Sequence, residues 1–204
     1  MLKRVVLFVV LCLLSPWFWL LFKNHLSPLS HPGSKFKLNT DFYLTQINSY
    51  RGETSVNDMG LLGKIIVNKY SWTVKEGATR MLESFDPHYL FLEGDLNSSR
   101  STGKNGLVYL WLIVPVILQL ALISEKQRVV WIGILFISTI GSIFYMENYY
   151  SPAKIPMFVL FNWLAACGLV EMLSFKNKLK YVYFMILLFE VAKFFHQFFL
   201  HYQL

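Results

Sequence analysis

Apolar residues along the chain are gathered into five long runs, which are separated by polar stretches of very different length. A helix needs about 20 mostly apolar residues to cross the hydrocarbon core of a bilayer, which is about 30 Å thick. Each run is close to that length. The pattern therefore predicts an all-α integral membrane protein with five transmembrane helices. The predicted spans cover residues 5–22, 106–123, 129–146, 155–173 and 181–200.

The first apolar run has features of a secretion signal, because the basic residues Lys3 and Arg4 precede it. However, its apolar part is longer than the stretch of about 7–15 residues found in cleaved signal peptides, and no A-x-A cleavage pattern follows. Residues 1–22 are therefore predicted to be an uncleaved signal anchor. Pro16 within this span and Pro115 within span two are expected to kink their helices, which membrane helices tolerate.

Basic residues lie on alternate connections between the apolar runs. The segments before span one, after span two and after span four carry 2, 2 and 3 of them, whereas the short loop ENYYSPAK carries only Lys154. Lys and Arg are enriched on cytoplasmic loops, so these three segments are predicted to face the cytoplasm. This orientation places the N-terminus in the cytoplasm and the C-terminus outside. The basic residues counted are Lys3, Arg4, Lys126, Arg128, Lys176, Lys178 and Lys180.

The same orientation places residues 23–105 outside the cytoplasmic membrane and leaves residues 106–204 as a four-helix membrane bundle. Prolines, serines and a glycine at the start of the outside segment predict a linker. Apolar residues then recur at helical spacing from Leu61 to Phe85, which predicts one amphipathic helix, or two that are broken near Gly77. This small, mainly helical part is expected either to lie on the membrane surface or to pack on top of the bundle.

The overall composition agrees with a membrane protein. The chain is 55% hydrophobic and has a mean hydropathy of +0.44, whereas soluble domains are about 45–50% apolar. The net charge of +7 does not indicate a nucleic-acid partner, because the basic residues flank apolar runs and do not form one face. Cys12 and Cys167 lie inside apolar runs without a CxxC spacing, which argues against a metal or redox site.

Candidate chemistry is concentrated in the stretch FDPHYLFLEGDLNSSRSTGKNG, residues 85–106. Glu93 and Asp95 alternate, so in an extended segment both would face one divalent cation or one substrate proton. Walker A, zinc and GxSxG patterns are absent from the sequence, which predicts no cofactor and no metal and leaves a divalent cation as the alternative. A structural interpretation of the stretch, as two turns and a flexible loop before span two, is also open. The candidate catalytic residues are Asp41, Asp86, His88, Glu93 and Asp95.

Span five contains two charged residues at membrane depth, Glu190 and Lys193. Such charges are costly within a bilayer and are often functional. Because they are three residues apart on a helix, they share a face and are predicted to form an intramembrane polar pair. The pair would either hold a lipid phosphate near the outer surface or fix the packing of the helix against a neighbour.

Other charges near the ends of the spans are candidates for lipid binding or for structural ion pairs. Arg100 and Lys104, which precede span two, are predicted with Lys193 to bind a lipid phosphate. Glu171 lies near the predicted cytoplasmic end of span four, and we expect it to meet Lys176 or Lys178.

A set of residues at fixed spacings between residues 45 and 115 leads directly into span two. It comprises Arg51-Gly52, Asn68-Lys69, Phe85, Pro87, Tyr89 to Phe91, Gly94-Asp95, Asn97, Arg100, Ser101, Gly103, Gly106 and Leu107 to Trp111. This arrangement resembles an extracytoplasmic segment of bacterial GT-C membrane glycosyltransferases, the class that includes protein mannosyltransferases and aminoarabinose transferases. In those enzymes the segment follows the catalytic half of the protein.

The resemblance implies transfer of a sugar from a polyprenyl-phosphate carrier at the outer face of the membrane, with a catalytic carboxylate in an acidic pair of the first outside loop. This chain departs from that pattern, because Asp41 has no acidic neighbour. One hypothesis is therefore a non-catalytic or degenerate module that acts as a scaffold or partner subunit in the cell envelope. The alternative is an active glycosyltransferase component. The expected partners are the lipid bilayer, a polyprenyl-linked sugar and a membrane protein.

Overall fold

The computed structural model describes residues 1–23, 45, 48–49, 69–95, 102, 104–144, 151–176 and 178–201. These residues form helices and the turns between them, with no strand among them. The predicted all-α class is therefore confirmed for the described part of the chain. The helices are α1 (Leu2–Leu14), α2 (Pro16–Lys23), α3 (Lys69–Glu83), α4 (Ile113–Leu122), α5 (Glu125–Ser138), α6 (Ile155–Ser174) and α7 (Leu179–His201).

Four shorter helical segments lie between these helices in the described chain. A π-helical turn follows α3, and a 3-10 turn follows α5. Two more 3-10 turns lead directly into α4 and α6. The segments are His88–Leu92, Leu110–Leu112, Ile140–Phe144 and Ser151–Lys154, in chain order.

Two helices in the described chain are long and apolar enough to cross a membrane. They are Ser151–Ser174, with 24 residues, and Leu179–Leu200, with 22 residues. They correspond to predicted spans four and five, which began at residues 155 and 181. Uninterrupted apolar runs therefore identified these helices to within a few residues. The other three predicted spans are divided, and the five-span arrangement remains a prediction.

Predicted span one is divided into α1 and α2 at Ser15, whose backbone is extended with φ −64° and ψ 139°. The cause is Pro16, because proline has no N–H to continue the helix and disfavours helical geometry at the preceding residue. The expected kink is therefore a complete break. The N–H of Trp17, just after the break, donates a 3.1 Å hydrogen bond to the carbonyl of Leu107. This bond joins the start of α2 to the beginning of predicted span two.

Two carbonyls released by the break gain side-chain donors. Trp19 Nε1 donates to the Leu13 carbonyl at 2.7 Å, and the Tyr109 hydroxyl donates to the Leu14 carbonyl at 2.6 Å. Peptide groups within a bilayer need partners inside the protein, because lipid tails offer none. The two side-chain donors thus replace hydrogen bonds that a continuous helix would supply through its own backbone.

Predicted span two is helical only from Leu110 to Leu122. The residues just before it lie against the backbone of the 85–95 segment, where Val108 N–H donates to the Leu90 carbonyl at 2.9 Å. A side chain at Gly106 would overlap the backbone of Leu90 and Phe91. Pro115 lies in the first turn of α4, where the missing N–H costs no intrahelical hydrogen bond. Pro115 therefore lies at the start of the helix and does not interrupt it, contrary to the expected kink.

Predicted span three is also shorter than its apolar run. α5 begins with a capping box, in which Ser124 Oγ accepts a hydrogen bond from Gln127 N–H and the Gln127 side chain accepts one from Ser124 N–H. It ends at Ser138 and gives way to the 3-10 turn Ile140–Phe144. Residues 145–150 lie outside the described chain. None of the residues of α5 is buried, so this helix lies at the edge of the described structure.

α6 is the central helix of the molecule, and it packs against α1, α4 and α5. Ten of its residues are buried. A Cβ atom at Gly168 would overlap the carbonyl of Pro115, so the missing side chain is what allows α4 to approach so closely. On the other side, Asn162 Nδ2 donates to Ser15 Oγ at 2.9 Å. Because Arg4 contacts Glu171 while Ser15 contacts Asn162, α1 and α6 are antiparallel.

α3 packs on the bundle with part of its predicted apolar face exposed. It runs without interruption through Gly77, so of the two predicted alternatives the structure agrees with one helix there and not with two broken at the glycine. Its buried side carries Gly77 and Arg80, and this side lies against the 3-10 turn Ile140–Phe144. Tyr70 and Val74 are 81% and 71% exposed. The predicted helical residues 61–68 and the linker lie outside the described residues.

Candidate functional site

Asp95, one of the candidate catalytic residues, is buried with 4% exposure. Its Oδ2 atom accepts hydrogen bonds from Ser151 Oγ at 2.7 Å and from Ser151 N–H at 3.2 Å. Ser151 is the first residue of the 3-10 turn that leads into α6, where backbone N–H groups lack intrahelical acceptors. Asp95 therefore acts as a helix cap that is supplied by a distant segment, and it attaches the 85–95 stretch to the start of α6.

Two further residues complete this buried contact. The Tyr89 hydroxyl donates to Ser151 Oγ at 3.1 Å, and the Ser151 hydroxyl in turn donates to Asp95 Oδ2. Lys154 Nζ lies 4.1 Å from the centre of the Tyr89 ring, which is a cation–π distance. We refer to Tyr89, Asp95, Ser151 and Lys154 as the junction cluster, because they join the two segments. All four side chains are buried.

The charges around the junction cluster are of both signs. A buried ammonium group is costly unless carboxylates compensate it. Glu83, Asp95 and Asp86 lie close enough to act on the charge of Lys154. Burial raises the pKa of the Glu83 carboxyl, and the neighbouring charges of Lys154 and Arg80 oppose that increase. The cluster is therefore a compensated group of charges, which favours a fixed arrangement of the two segments.

His88 and Glu93 lie on the exposed side of the same stretch. His88 Nδ1 is 3.3 Å from Glu93 Oε2, and both side chains are 58% exposed. Asp86 accepts a 2.9 Å hydrogen bond from His88 N–H and so caps the π-helical turn His88–Leu92. Because Glu93 is exposed while Asp95 is buried, the prediction that both face one cation or proton is wrong. The residues that the structure describes contain no group of three or more His, Cys, Asp or Glu placed to hold a metal ion.

Glu190 has different partners from the one predicted. Its two carboxylate oxygens accept hydrogen bonds from Leu110 N–H at 2.8 Å and from Trp111 N–H at 3.3 Å. These amides begin the helical part of predicted span two, so Glu190 supplies the cap that the local sequence lacks. The ion pairs among the described residues do not include one between Glu190 and Lys193, and Lys193 is exposed.

At the other end of the molecule, Glu171 pairs with Arg4 at 2.7 Å. The expected pairing with Lys176 or Lys178 is therefore wrong, because Arg4 at the start of α1 is the partner of the Glu171 carboxylate. Lys180 Nζ instead donates to the carbonyls of Leu173 and Phe175 at 3.0 and 2.8 Å. A lysine in this position satisfies the free carbonyls at the end of α6.

The other predicted site residues are only partly described. Asp41 and Arg100 lie outside the described residues. Lys104 is exposed, and its neighbour Asn105 forms a side-chain hydrogen bond with Gln197 of α7. Gln197 follows Lys193 by one helical turn, so the bond brings the two predicted phosphate-binding lysines to the same end of the bundle.

Sequence reasoning missed three members of the junction cluster: Tyr89, Ser151 and Lys154. Tyr89 lies in the apolar string YLFL. Ser151 and Lys154 belong to a short loop that entered the sequence argument only through its small number of basic residues. One signal was present: the loop has a single lysine immediately before an apolar run, next to a Ser-Pro pair that is typical of a helix start. The contact itself joins residues 56 positions apart, which no local pattern reports.

No protein-family model, curated protein or solved structure matches the chain. The junction cluster is closed and internally satisfied around Asp95, whereas the His88–Glu93 pair is open to a substrate. The first arrangement suits attachment of one segment to another, and the second suits proton transfer at a surface.

Proposed function

We propose that the protein is a non-catalytic membrane module, related to polyprenyl-phosphate-sugar glycosyltransferases, that serves as a scaffold or partner subunit in the cell envelope. The observation that carries this proposal is the environment of Asp95. A general base has to reach the proton that it removes from the substrate. A carboxylate with 4% exposure that already accepts two hydrogen bonds from Ser151 is better placed to hold the structure together.

Other residues of the glycosyltransferase-like pattern support a structural role. Gly94 has a φ of 79°, a left-handed conformation that glycine adopts without strain, and this turn delivers Asp95 to Ser151. Gly106 allows the backbone to approach Leu90 and Phe91. The positions that carry the resemblance are thus ones that shape a backbone junction in this chain. The resemblance is therefore compatible with a scaffold that lacks the catalytic chemistry of those glycosyltransferases.

The proposal includes the orientation inferred from the charges. In it, the end that holds Arg4, Glu171 and Lys180 faces the cytoplasm, and the junction cluster faces outside. The antiparallel packing of α1 and α6 supports this, because it gathers the start of the chain and the end of α6 at one end of the bundle. The polar backbone groups within the five spans would then have their hydrogen-bond partners inside the protein, because a bilayer supplies none.

A transfer assay and a stability measurement test the proposal together. The purified protein is incubated with a synthetic polyprenyl-phosphate sugar, and release of polyprenyl phosphate is followed for the wild type, Asp95→Asn and the exposed control Glu93→Gln. We expect no release above the blank in any sample. We also expect Asp95→Asn to lower the free energy of unfolding by about 1–3 kcal/mol, and Glu93→Gln to change it by less than about 0.5 kcal/mol.

The opposite pattern would refute the scaffold. Release of polyprenyl phosphate by the wild type, lost in Asp95→Asn at unchanged stability, would show that this carboxylate is catalytic. A cross-linked detergent extract provides the complementary test, because a partner subunit should retain a second membrane protein at a fixed ratio. Recovery of the chain alone in that extract would also contradict the proposal.

The alternative is an active glycosyltransferase component, and one observation favours it. His88 Nδ1 lies 3.3 Å from Glu93 Oε2 on an exposed surface, and a carboxylate beside an imidazole orients the ring for proton transfer. Lys104 and Lys193 lie at one end of the bundle, where a lipid phosphate would bind. In this case His88→Gln should abolish polyprenyl phosphate release without changing stability, and full activity of this variant would exclude the alternative.

A further inference from the structure

We propose that a groove between α1 and the end of α6 binds one acyl chain of an anionic phospholipid, whose phosphate lies beside Lys3. The groove encloses about 540 Å³, within the range of about 300–1,000 Å³ that is usual for ligand sites. The scaffold role makes no statement about lipid at this end of the molecule. The residues that matter for binding are Lys3, Val6 and Val10 of α1 and Val170, Leu173 and Ser174 of α6.

The shape of the groove suits an extended chain. One wall follows α1 from Leu2 to Val10, which spans about 12 Å at a rise of about 1.5 Å per residue. Val6, Val10 and Leu173 are each two-fifths or more exposed although they are apolar. They project from antiparallel helices into the same space. An acyl chain lying along α1 would cover these side chains and fill the groove over its length.

The charges at this end select the headgroup. Arg4 is engaged with Glu171 at 2.7 Å, and Lys180 is engaged with carbonyls at the end of α6. Lys3 is exposed and is the cation of the groove lining. Each lysine near an anionic membrane surface contributes about 1 kcal/mol of attraction. The phosphate of an anionic lipid would therefore sit where Lys3 meets the apolar wall.

The same combination of groups disfavours an apolar helix as the occupant. A helix of another subunit could cover Val6 and Val10, but it would remove water from Lys3 without supplying a negative charge. An unpaired charge removed from water is costly. A phospholipid provides both an acyl chain for the apolar wall and an anion for Lys3, so it satisfies both features.

Lipid retention tests the assignment. The protein is reconstituted in nanodiscs made of equal parts phosphatidylglycerol and phosphatidylcholine and is then extracted in a mild detergent, and the lipid retained per chain is measured by mass spectrometry. Lys3→Gln removes the charge from the groove. Lys126→Gln is the matched control, because it removes an exposed lysine from α5 that does not line the groove. Val6→Trp fills the apolar wall.

We expect the wild type to retain phosphatidylglycerol in preference to phosphatidylcholine. Lys3→Gln should reduce that preference about fivefold, and Lys126→Gln should leave it unchanged. Val6→Trp should reduce the retention of both lipids. If Val6→Trp does not fold, Val10→Trp is used in its place. Equal retention of the two lipids by the wild type, or equal effects of Lys3→Gln and Lys126→Gln, would overturn the proposal. So would full retention by a folded variant with a filled groove.

Discussion

Removal of the Tyr109 hydroxyl should destabilise the break in the first helix. Tyr109 is buried, and its hydroxyl is the side-chain donor to the Leu14 carbonyl, at 2.6 Å. Tyr109→Phe preserves the ring and its packing against Phe194. The substitution therefore removes one interaction. The Leu14 carbonyl, which lies at the helix break, then loses its hydrogen-bond donor.

The size of the effect follows from two limits. Leaving a buried acceptor unsatisfied costs about 1–3 kcal/mol in soluble proteins. Hydrogen bonds between membrane helices average only about 0.6 kcal/mol, because the unfolded chain in the membrane also finds partners. The Leu14 carbonyl lies at a helix break fixed by Pro16 and has no alternative intrahelical donor at that position. We therefore expect a loss of about 1–2 kcal/mol.

Reversible unfolding in mixed micelles, followed by tryptophan fluorescence, measures this loss. Tyr181→Phe is the matched control, because Tyr181 is 65% exposed at the start of α7. The control should unfold like the wild type. A Tyr109→Phe protein as stable as the wild type would refute the reasoning, and so would equal losses in the two tyrosine variants. A second comparison adds Pro16→Ala to both backgrounds. Because a repaired helix would satisfy Leu14 internally, Tyr109→Phe should then cost less.

Two further predictions concern close packing and pH. Gly168→Ala should lower the free energy of unfolding by about 1–3 kcal/mol, because its Cβ would overlap the Pro115 carbonyl. Gly133→Ala, where a Cβ meets nothing within 4 Å, should be neutral or stabilising by up to about 1 kcal/mol. Chemical denaturation measures both variants, and equal losses of unfolding free energy in the two would contradict this prediction. For pH, the pKa of Glu83 is raised by burial, so the folded state binds this proton more tightly than the unfolded state. Stability should then fall as pH rises from the ordinary carboxyl pKa through the raised value. Glu83→Gln should flatten that part of the curve of Tm against pH, and an unchanged curve would argue against this account.

The helices that sequence predicted best are those in which no backbone-to-backbone hydrogen bond to a distant segment interrupts the apolar run among the described residues. Residues 155–173 and 181–200 appear as the continuous helices α6 and α7. Predicted spans one and two are cut short where Trp17 and Leu107 share a hydrogen bond. That bond depends on two segments that are far apart in the chain, so hydropathy cannot reveal it.

In the candidate site, too, sequence identified residues but not their partners from distant segments. Sequence reasoning selected Asp95 and placed it before a membrane helix, and its burial against Ser151 gives it a structural role. The partner of Glu190 was predicted from spacing within one helix, whereas the structure supplies amides from another segment. The charged Arg80 is buried in α3, whereas the apolar Val74 is exposed. Helical periodicity identifies a face but does not say which side will be covered.

The break at Ser15 has a consequence for how the chain is assembled in a cell. The Leu14 carbonyl receives its hydrogen bond from Tyr109, which lies 95 residues later in the sequence. At translation rates of about 5–20 residues per second, about 5–20 s separate the synthesis of the two residues. In the predicted five-span arrangement, the first hydrophobic segment carries during that interval a peptide group that lipid cannot satisfy. The nascent chain should therefore keep this segment near water or the translocation machinery until the second segment emerges, so that the two enter the bilayer as a unit.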